Sequence, residues 1–182
     1  FIHLPHDAMI RERRTKETKN KQQTGFYPGG SYTYTKKFDV PKEWEERTVL
    51  IEFEGVYRNA LVYINGDYAG GHPYGYTNFY VSADDFLRYG QTNEIKVIAN
   101  NSAEEDSRWY SGSGIYRDVS LLVGKRIHIK EDGVRIWTAE TDDDGAVMQV
   151  ETQIRNQTCG KKELLLITEI LDEEGEVAGR DE

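Results

Sequence analysis

Cysteine and histidine are scarce in this sequence, and it contains no long apolar run. Its 182 residues include a single cysteine, Cys159, so neither an internal disulfide nor a paired-cysteine zinc site can form. No apolar stretch approaches the roughly 20 residues that a membrane-spanning helix needs. The 32 acidic residues outnumber the 23 basic ones, and a net charge of −9 would repel a phosphate backbone. We therefore expect no membrane span and no nucleic-acid partner.

Aromatic residues are plentiful by contrast. The chain has 12 tyrosines, 6 phenylalanines and 3 tryptophans, enough to fill a core and still mark a surface. Tyrosine combines an apolar ring with a polar tip, so it suits half-wet surfaces and β-strands. Strand packing is the plainer interpretation of most of these tyrosines.

The apolar residues mostly alternate with polar ones. In TVLIEFEG, Val49, Ile51 and Phe53 share one face, which predicts a half-buried strand. In ALVYINGDYAG, an apolar run meets Asn65-Gly66, the pair favoured in two-residue hairpin turns. NEIKVIAN and IYRDVSLLVG read as further strands. One short helix is predicted over ADDFLRY, capped by Ser82 and ended by Gly90. Many short strands separated by turn signals predict an all-β, antiparallel sandwich.

The composition changes near Gly124-Lys125, where we place a domain boundary. Three strand candidates follow, DGVRIWTAET, AVMQVETQIRN and KELLLITEILD, with TDDDGA and NQTCGKK as the hairpin turns between them. An immunoglobulin-like sandwich needs about seven strands and roughly 100 residues. We therefore expect residues 125–182 to be the first strands of an incomplete sandwich. Open strand edges invite pairing, which predicts a homodimer through this segment.

Two charged segments have plain interpretations. Residues 11–23, RERRTKETKNKQQ, lack an apolar stripe and read as an exposed loop. The alternative, a basic binding anchor, is weakened by the interruptions at Glu12 and Glu17. The acidic run Asp142 to Asp144 lacks the ligand spacing of a calcium loop and reads as a solvated turn.

Catalytic constellations are missing from the sequence. The four histidines have no zinc-ligand spacing, and no nucleophile elbow or phosphate loop is present. Cys159 has no neighbouring base in the sequence. A glycosidase needs two facing carboxylates, but sequence alone selects no pair among 32 acids. We predict no catalytic residue, no metal ligand and no cofactor in this chain.

The segment DSRWYSGSGIYRDV stands out because it is both flexible and aromatic. Asp106 and Arg108 offer hydrogen-bond acceptors and donors of the kind that sugar hydroxyls require. Trp109 and Tyr110 offer rings on which the apolar face of a hexose can lie. A structural interpretation stays open, in which Arg108 pairs with Asp118 and Trp109 plugs the end of the sandwich.

Four segments, in order across residues 3–123, resemble the amino-terminal sugar-binding domain of glycoside hydrolase family 2. They are LPHD, FEGVYRNALVYINGDYAGGHPYGYTNFYVSADDFL, NEIKVIANNS and DSRWYSGSGIYRDVSLLV. The family includes β-galactosidases, β-glucuronidases and β-mannosidases. Two features depart from the family pattern: Ala8-Met9 stands where a tryptophan often follows LPHD, and GSYTYTKKF lacks a tryptophan before its tyrosines.

This resemblance implies a galactose-binding-like jelly-roll over residues 1–124 and, from residue 125, the start of an immunoglobulin-like sandwich. In the family a (β/α)8 barrel follows and carries both catalytic glutamates, so no glutamate of this chain inherits their roles. Asp106 matches an aspartate that contacts the sugar in β-galactosidases of the family. Arg108 and Trp109 belong to the same segment and are expected near the pocket. Arg117-Asp118 matches a pair that we expect to be structural.

The resemblance thus predicts a non-catalytic domain that forms one wall of the substrate pocket for retaining hydrolysis of β-glycosides, with β-galactosides favoured. Its partners would be a carbohydrate and the barrel of the parent enzyme, in a bacterial periplasmic or secreted location. Two alternatives remain: a free-standing carbohydrate-binding module, and a purely structural interaction sandwich.

Overall fold

The computed structural model describes residues 1–19, 21–102, 110–143 and 145–182. These residues contain thirteen strands, three short 3-10 helices and no α-helix, so the prediction of an all-β chain is confirmed. The chain forms two compact units, residues 1–125 and 126–182. The 3-10 helices, all in the first unit, are Met9–Arg11, Lys21–Thr24 and Lys42–Glu46.

Nine strands build the first unit. They are β1 (Ser31–Val40), β2 (Thr48–Phe53), β3 (Val56–Tyr57), β4 (Ala60–Ile64), β5 (Asp67–His72), β6 (Phe79–Ser82), β7 (Gln91–Asn100), β8 (Gly114–Ile115) and β9 (Val119–Gly124). A four-stranded sheet has the order β1-β7-β4-β5, and a three-stranded sheet has the order β6-β2-β9. Strands β3 and β8 form a separate short pair. Every pairing in the unit is antiparallel.

The core of the first unit is a single apolar cluster that contains side chains from both larger sheets. Strand β2 contributes Val49, Ile51 and Phe53, and β4 contributes Val62 and Ile64, all nearly inaccessible to solvent. Because one cluster takes side chains from both sheets, the sheets pack face to face as a sandwich. Each such side chain, when fully buried, stabilises the fold by about 1.5–3 kcal/mol before entropy is counted.

Strand β2 is buried more completely than its alternation predicts. Leu50 lies on the face opposite Ile51, yet only 5% of it is exposed. Thr48 shares the face of Leu50 and is also buried, so both faces of this central strand, which lies between β6 and β9, are largely covered at its amino-terminal end. The sequence pattern reported one buried face correctly and missed the second.

The Asn65-Gly66 turn forms as predicted. Both residues have positive φ, 53° and 97°, and they join β4 to β5. This is the backbone that a two-residue hairpin of matching twist requires. The Asn65 side chain adds tertiary bonds, because its Nδ2 donates to the carbonyl of Phe86 at 2.8 Å and to Oδ1 of Asn93 at 2.7 Å.

The short helix predicted over residues 83–89 is wrong, since the segment forms turns. In a helix the backbone nitrogen of Arg88 would donate to the carbonyl four residues earlier. It donates instead to the side-chain oxygen of buried Asn93, at 2.7 Å, while Asn93 Nδ2 donates back to the Arg88 carbonyl at 2.9 Å. The Asp84 carboxylate is also used elsewhere, accepting from the backbone nitrogen of Val49 at 2.7 Å. The hydrogen bonds made by the Asn93 and Asp84 side chains outweigh a weak local helix signal.

The second unit consists of two antiparallel hairpins. They are β10 (Ile127–Thr141) with β11 (Ala146–Asn156), and β12 (Thr168–Leu171) with β13 (Val177–Asp181). The strand predicted over residues 162–172 is therefore too long, and its partner is β13 rather than β11. Residues 162–167 pair with no strand among the described residues, and a segment without a pairing neighbour makes no ladder.

The first of these hairpins contains a bulge and a closed turn. Asp132 has a φ of 54°, within a register shift between Ile129 and Val134. In the predicted acidic turn, Asp142 donates its backbone N–H to the Gly145 carbonyl at 2.9 Å and accepts from Gly145 at its side chain. Asp144 lies outside the described residues. The assignment of this unit to an immunoglobulin-like sandwich stays a prediction.

Among the described residues, no helix has the length and apolar character needed to cross a membrane.

Candidate functional site

The three residues predicted to contact sugar, Asp106, Arg108 and Trp109, lie outside the described residues. The structure does describe the chain on both sides of them. Ser102 precedes residues 103–109, the segment predicted from the sequence to be a binding loop and named the loop below, and Tyr110 follows it. The two flanks show how the fold fixes the chain on either side of that segment.

The flank after the loop is anchored by the carboxylate of Asp7. Its Oδ1 accepts the backbone N–H of Ser113 at 2.9 Å and that of Met9 at 3.0 Å. The Tyr110 hydroxyl donates to Oδ2 of the same carboxylate. One acidic side chain near the amino terminus thus satisfies three donors, two of them on the flank. Hydrogen bonds to a charged acceptor are stronger than neutral ones.

The backbone of the LPHD segment runs beside the same flank. His6 donates its N–H to the Ile115 carbonyl, and Ala8 donates to the Ser113 carbonyl, both at 2.7 Å. Met9, just beyond, is fully buried. The amino-terminal segment therefore behaves as a clamp on residues 113–115.

Two glycines allow this close approach. Gly112 has a φ of 74°, and a Cβ there would lie 3.0 Å from Oδ2 of Asp7. Gly114 has a φ of 127°, and a Cβ there would lie 2.0 Å from the Tyr34 hydroxyl oxygen. Both positions have the left-handed backbone that glycine adopts without strain. The spacing of the glycines in YSGSGIY is thus explained by the clamp.

The phenols beneath the flank are held in their neutral form. Burial raises the pKa of Tyr34, whose hydroxyl lies 3.0 Å from Nδ1 of His6. Burial also raises the pKa of Tyr110, and its hydrogen bond to Asp7 raises that pKa further. The Tyr110 phenol consequently stays a hydrogen-bond donor well above neutral pH.

The flank before the loop is fixed by Asn101, which is 1% exposed. Its backbone nitrogen donates to the Gly30 carbonyl at 2.8 Å, and its Nδ2 donates to the Gly112 carbonyl at 3.3 Å. This second bond ties the two flanks to each other. A loop with both ends fixed on a rigid sandwich is a common position for a binding site.

A cavity of about 270 Å³ opens beside the first flank. The described part of its wall includes hydroxyl, acidic, basic and aromatic residues, namely Thr15, Glu17, Thr18, Lys19, Tyr27, Pro28, Gly29 and Ser102. The Tyr27 ring meets the Tyr110 ring edge to face, with centroids 5.1 Å apart. The cavity therefore adjoins both flanks of the loop. Such linings, with a few polar groups around a ring, are typical of small-molecule sites.

Metal chemistry finds no support in the part of the chain that the structure describes, where no three His, Cys, Asp or Glu side chains group closely enough to hold an ion.

Sequence reasoning missed two features of this region. It noted Asp7 only as the last residue of the LPHD motif, because the adjacent sequence gives no hint of its distant partners. It also read residues 11–23 as an exposed loop, whereas Thr18 is buried and the segment contributes to the cavity. Both features depend on contacts across many residues, which local patterns do not contain.

The pair Arg117-Asp118 is exposed and directly precedes β9. The Arg117 guanidinium lies 5.6 Å from the centroid of the Tyr116 ring, and the Asp118 carbonyl accepts from Glu54 at 3.1 Å. The structural role expected for this pair stays a prediction.

Comparison with known proteins agrees with this picture. The family model described as glycosyl hydrolases family 2, sugar binding domain, matches residues 19–124. The chain is 35% identical over 174 residues to the β-galactosidase BoGH2A of Bacteroides ovatus, covering 96% of this chain and 20% of that protein. It is 31% identical over 168 residues to a β-glucuronidase of Formosa agariphila, covering 81% of this chain and 17% of that protein.

A solved structure has the same fold. The crystal structure of a family 2 glycosyl hydrolase from Bacteroides cellulosilyticus superposes with a TM-score of 0.89 at 29% identity, over 99% of this chain and 24% of that one. The chain thus spans about a fifth of the length of the curated relatives it matches. The resemblance drawn from the four sequence segments is confirmed: the chain belongs to glycoside hydrolase family 2 and carries that family's sugar-binding domain.

Proposed function

We propose that this chain forms one wall of the substrate pocket in a parent enzyme that hydrolyses β-glycosides, with β-galactosides the favoured substrates. Asp106, Arg108 and Trp109 would contact the sugar from the loop of residues 103–109. The observation that carries this proposal is the clamp on the loop, in which Asp7 holds Tyr110 and Ser113. A loop that must present side chains to a ligand at defined distances needs such fixed ends.

The chemistry of bond cleavage would come from elsewhere in the parent. Retaining hydrolysis uses two carboxyl groups about 5 Å apart, and the family resemblance places them on a barrel that follows this region. The second unit, residues 126–182, would be the start of an immunoglobulin-like sandwich between the two. The chain alone is then expected to be inactive.

The test uses the full-length enzyme that contains this chain. Asp106→Ala should lower kcat/KM for a β-galactoside by about 100-fold, the scale expected when a buried charged contact to substrate is lost. Asp67→Ala, an exposed acid in the β4–β5 hairpin, is the matched control and should leave kcat/KM unchanged. Loss in both variants, or in neither, would contradict the proposed role of the loop.

The free-standing module remains the second candidate, and the cavity beside the loop favours it. Titration of this chain by itself with methyl β-galactoside, followed by NMR, separates the two. Millimolar binding that Asp106→Ala abolishes would show that the domain recognises sugar without the barrel. Binding only in the full-length protein would assign the chain to the pocket wall.

A further inference from the structure

Residues 11–21 form the most basic part of the chain, and the structure folds them against the cavity. They include six basic and two acidic residues, a local charge of +4 in a chain whose net charge is −9. Thr15 donates its backbone N–H to the Phe26 carbonyl at 2.9 Å, and Phe26 donates to the Lys21 carbonyl at 2.7 Å. The backbone that carries the basic side chains is therefore tied down on both sides.

Tyr27 gives the cavity an aromatic wall with a positive charge beside it. The Arg14 guanidinium lies 5.7 Å from the centroid of the Tyr27 ring, and its Nε donates to the Gly25 carbonyl at 2.9 Å. These two contacts hold the guanidinium at the ring. The apolar face of a sugar can pack on an aromatic ring, and a neighbouring cation attracts an anionic substituent of that sugar.

Thr18 supplies a buried hydroxyl in the same wall. It is 7% exposed, and its Oγ1 has no hydrogen-bond partner among the described residues. A buried hydroxyl without a partner costs free energy, so a ligand hydroxyl or carboxylate that reaches it would be favoured. Ser102 adds a second hydroxyl, oriented by donation to Oδ1 of Asn100 at 2.7 Å.

The two charged side chains of the wall have different roles. Glu17 accepts a hydrogen bond from the Thr15 hydroxyl, and this bond lowers its pKa, so its carboxylate stays charged. A carboxylate accepts sugar hydroxyls but repels an anion. Lys19 also lines the cavity, and its side chain carries the opposite charge. An anionic group would therefore lie on the Lys19 side, with hydroxyls towards Glu17.

We propose that this cavity binds one pyranose unit bearing a carboxylate or a sulfate group, through Thr18, Lys19 and Tyr27. The volume of about 270 Å³ is just below the range of drug-sized pockets and suits a single sugar ring. Because the cavity adjoins both flanks of the loop, the unit would neighbour the sugar held by Asp106. This adjacency rests on the proposed function, whereas the residues that would bind the unit, Thr18, Lys19 and Tyr27, are all described.

The experiment is a titration of the full 182-residue chain, followed by two-dimensional NMR, with three ligands: methyl β-galactoside, galacturonic acid and galactose 6-sulfate. We expect the two acidic sugars to shift the signals of Thr18, Lys19, Tyr27 and Ser102, with affinity at least about tenfold above that of the neutral sugar at these residues. The two acidic ligands together show whether carboxylate or sulfate is preferred. Raising salt should weaken their binding, because the attraction is electrostatic.

Matched variants locate the interaction. Lys19→Ala should lower affinity for the acidic sugars about tenfold, and Thr18→Val, which keeps the side-chain shape, should weaken it about fivefold. Lys37→Ala removes an exposed lysine of β1 outside the cavity and should change nothing. Asp106→Ala should leave acidic-sugar binding at the cavity intact.

Three outcomes overturn this inference. They are the absence of shifts at the cavity residues up to saturating ligand, equal affinity for neutral and acidic sugars, and an unchanged affinity in Lys19→Ala. If Asp106→Ala instead abolishes acidic-sugar binding, the sugar contacts Asp106 rather than the cavity residues. The proposed function then stands, and the cavity proposal falls.

Discussion

The carboxylate of Asp7 accepts the backbone N–H of Ser113 at 2.9 Å, across 106 residues of chain. This bond joins the LPHD motif to the YSGSGIY segment, which directly follows residues 103–109. The LPHD and YSGSGIY segments resemble family motifs separately, and the structure shows that they are two halves of one clamp.

Replacing Asp7 should therefore destabilise the first unit. In Asp7→Ala the backbone nitrogens of Ser113 and Met9 and the Tyr110 hydroxyl lose their acceptor. We expect the free energy of unfolding to fall by about 2 kcal/mol, since each stranded donor costs about 1–3 kcal/mol and water recovers part of that. Urea denaturation followed by circular dichroism measures the change.

The control for this variant is Asp67→Ala, at an exposed hairpin position. Its free energy of unfolding should stay within about 0.5 kcal/mol of the wild type. Asp7→Asn, which keeps one acceptor oxygen, should fall between the two. Equal stability of Asp7→Ala and Asp67→Ala would show that the clamp contributes nothing.

The second prediction concerns alkaline pH. Burial and the Asp7 carboxylate raise the pKa of Tyr110 above its ordinary value of 10.0. The folded chain thus keeps a proton that the unfolded chain releases. The resulting stabilisation is complete below pH 10 and is lost as pH rises from there through the folded-state pKa.

Tyr110→Phe removes that titrating group. The free energy of unfolding of the variant should decline less steeply above pH 10 than that of the wild type, in urea titrations at a series of pH values. Tyr68→Phe changes an exposed tyrosine of β5 and should retain the wild-type slope. A wild-type slope in Tyr110→Phe would contradict the assigned cause.

The third prediction tests the close approach at Gly114. A methyl group there would lie 2.0 Å from the Tyr34 hydroxyl oxygen, and the φ of 127° disfavours any side chain. Gly114→Ala should cost about 3 kcal/mol or more, from backbone strain and overpacking together. Thermal unfolding should show a clearly lower Tm.

Gly124→Ala is the matched control, because a Cβ at that strand position meets nothing within 4 Å. Its Tm should be close to that of the wild type. If both alanine variants unfold at the same temperature, the packing of Tyr34 against Gly114 is not as tight as the distances state.

Local signals predicted much of the fold. The alternation in β2 and the Asn65-Gly66 turn are short-range features, and the structure contains both. The helix predicted over residues 83–89 failed because Asn93, several residues later, takes the backbone groups of Arg88. A helix signal of one or two turns is weak, and a buried side chain that bonds the same atoms overrides it.

The candidate site was predicted only in part. The sequence pointed to Asp106, Arg108 and Trp109, which the described residues neither support nor oppose. It did not point to Thr18 or Lys19, because a basic, polar stretch looks the same whether it is loose or folded against Tyr27. The backbone that lines the cavity is held by hydrogen bonds from Thr15 to Phe26 and from Phe26 to Lys21.

The sequence by itself determined the all-β class, the hairpin turn and the membership in glycoside hydrolase family 2, because period-two alternation, turn residues and ordered motifs are encoded locally. Tertiary structure decided that Asp7 clamps Ser113, that Gly114 must lack a side chain beside Tyr34, and that a basic segment lines a cavity. The physical reason is that each of these depends on groups far apart in the chain meeting in a buried place, where a hydrogen bond or a clash is worth far more than in water.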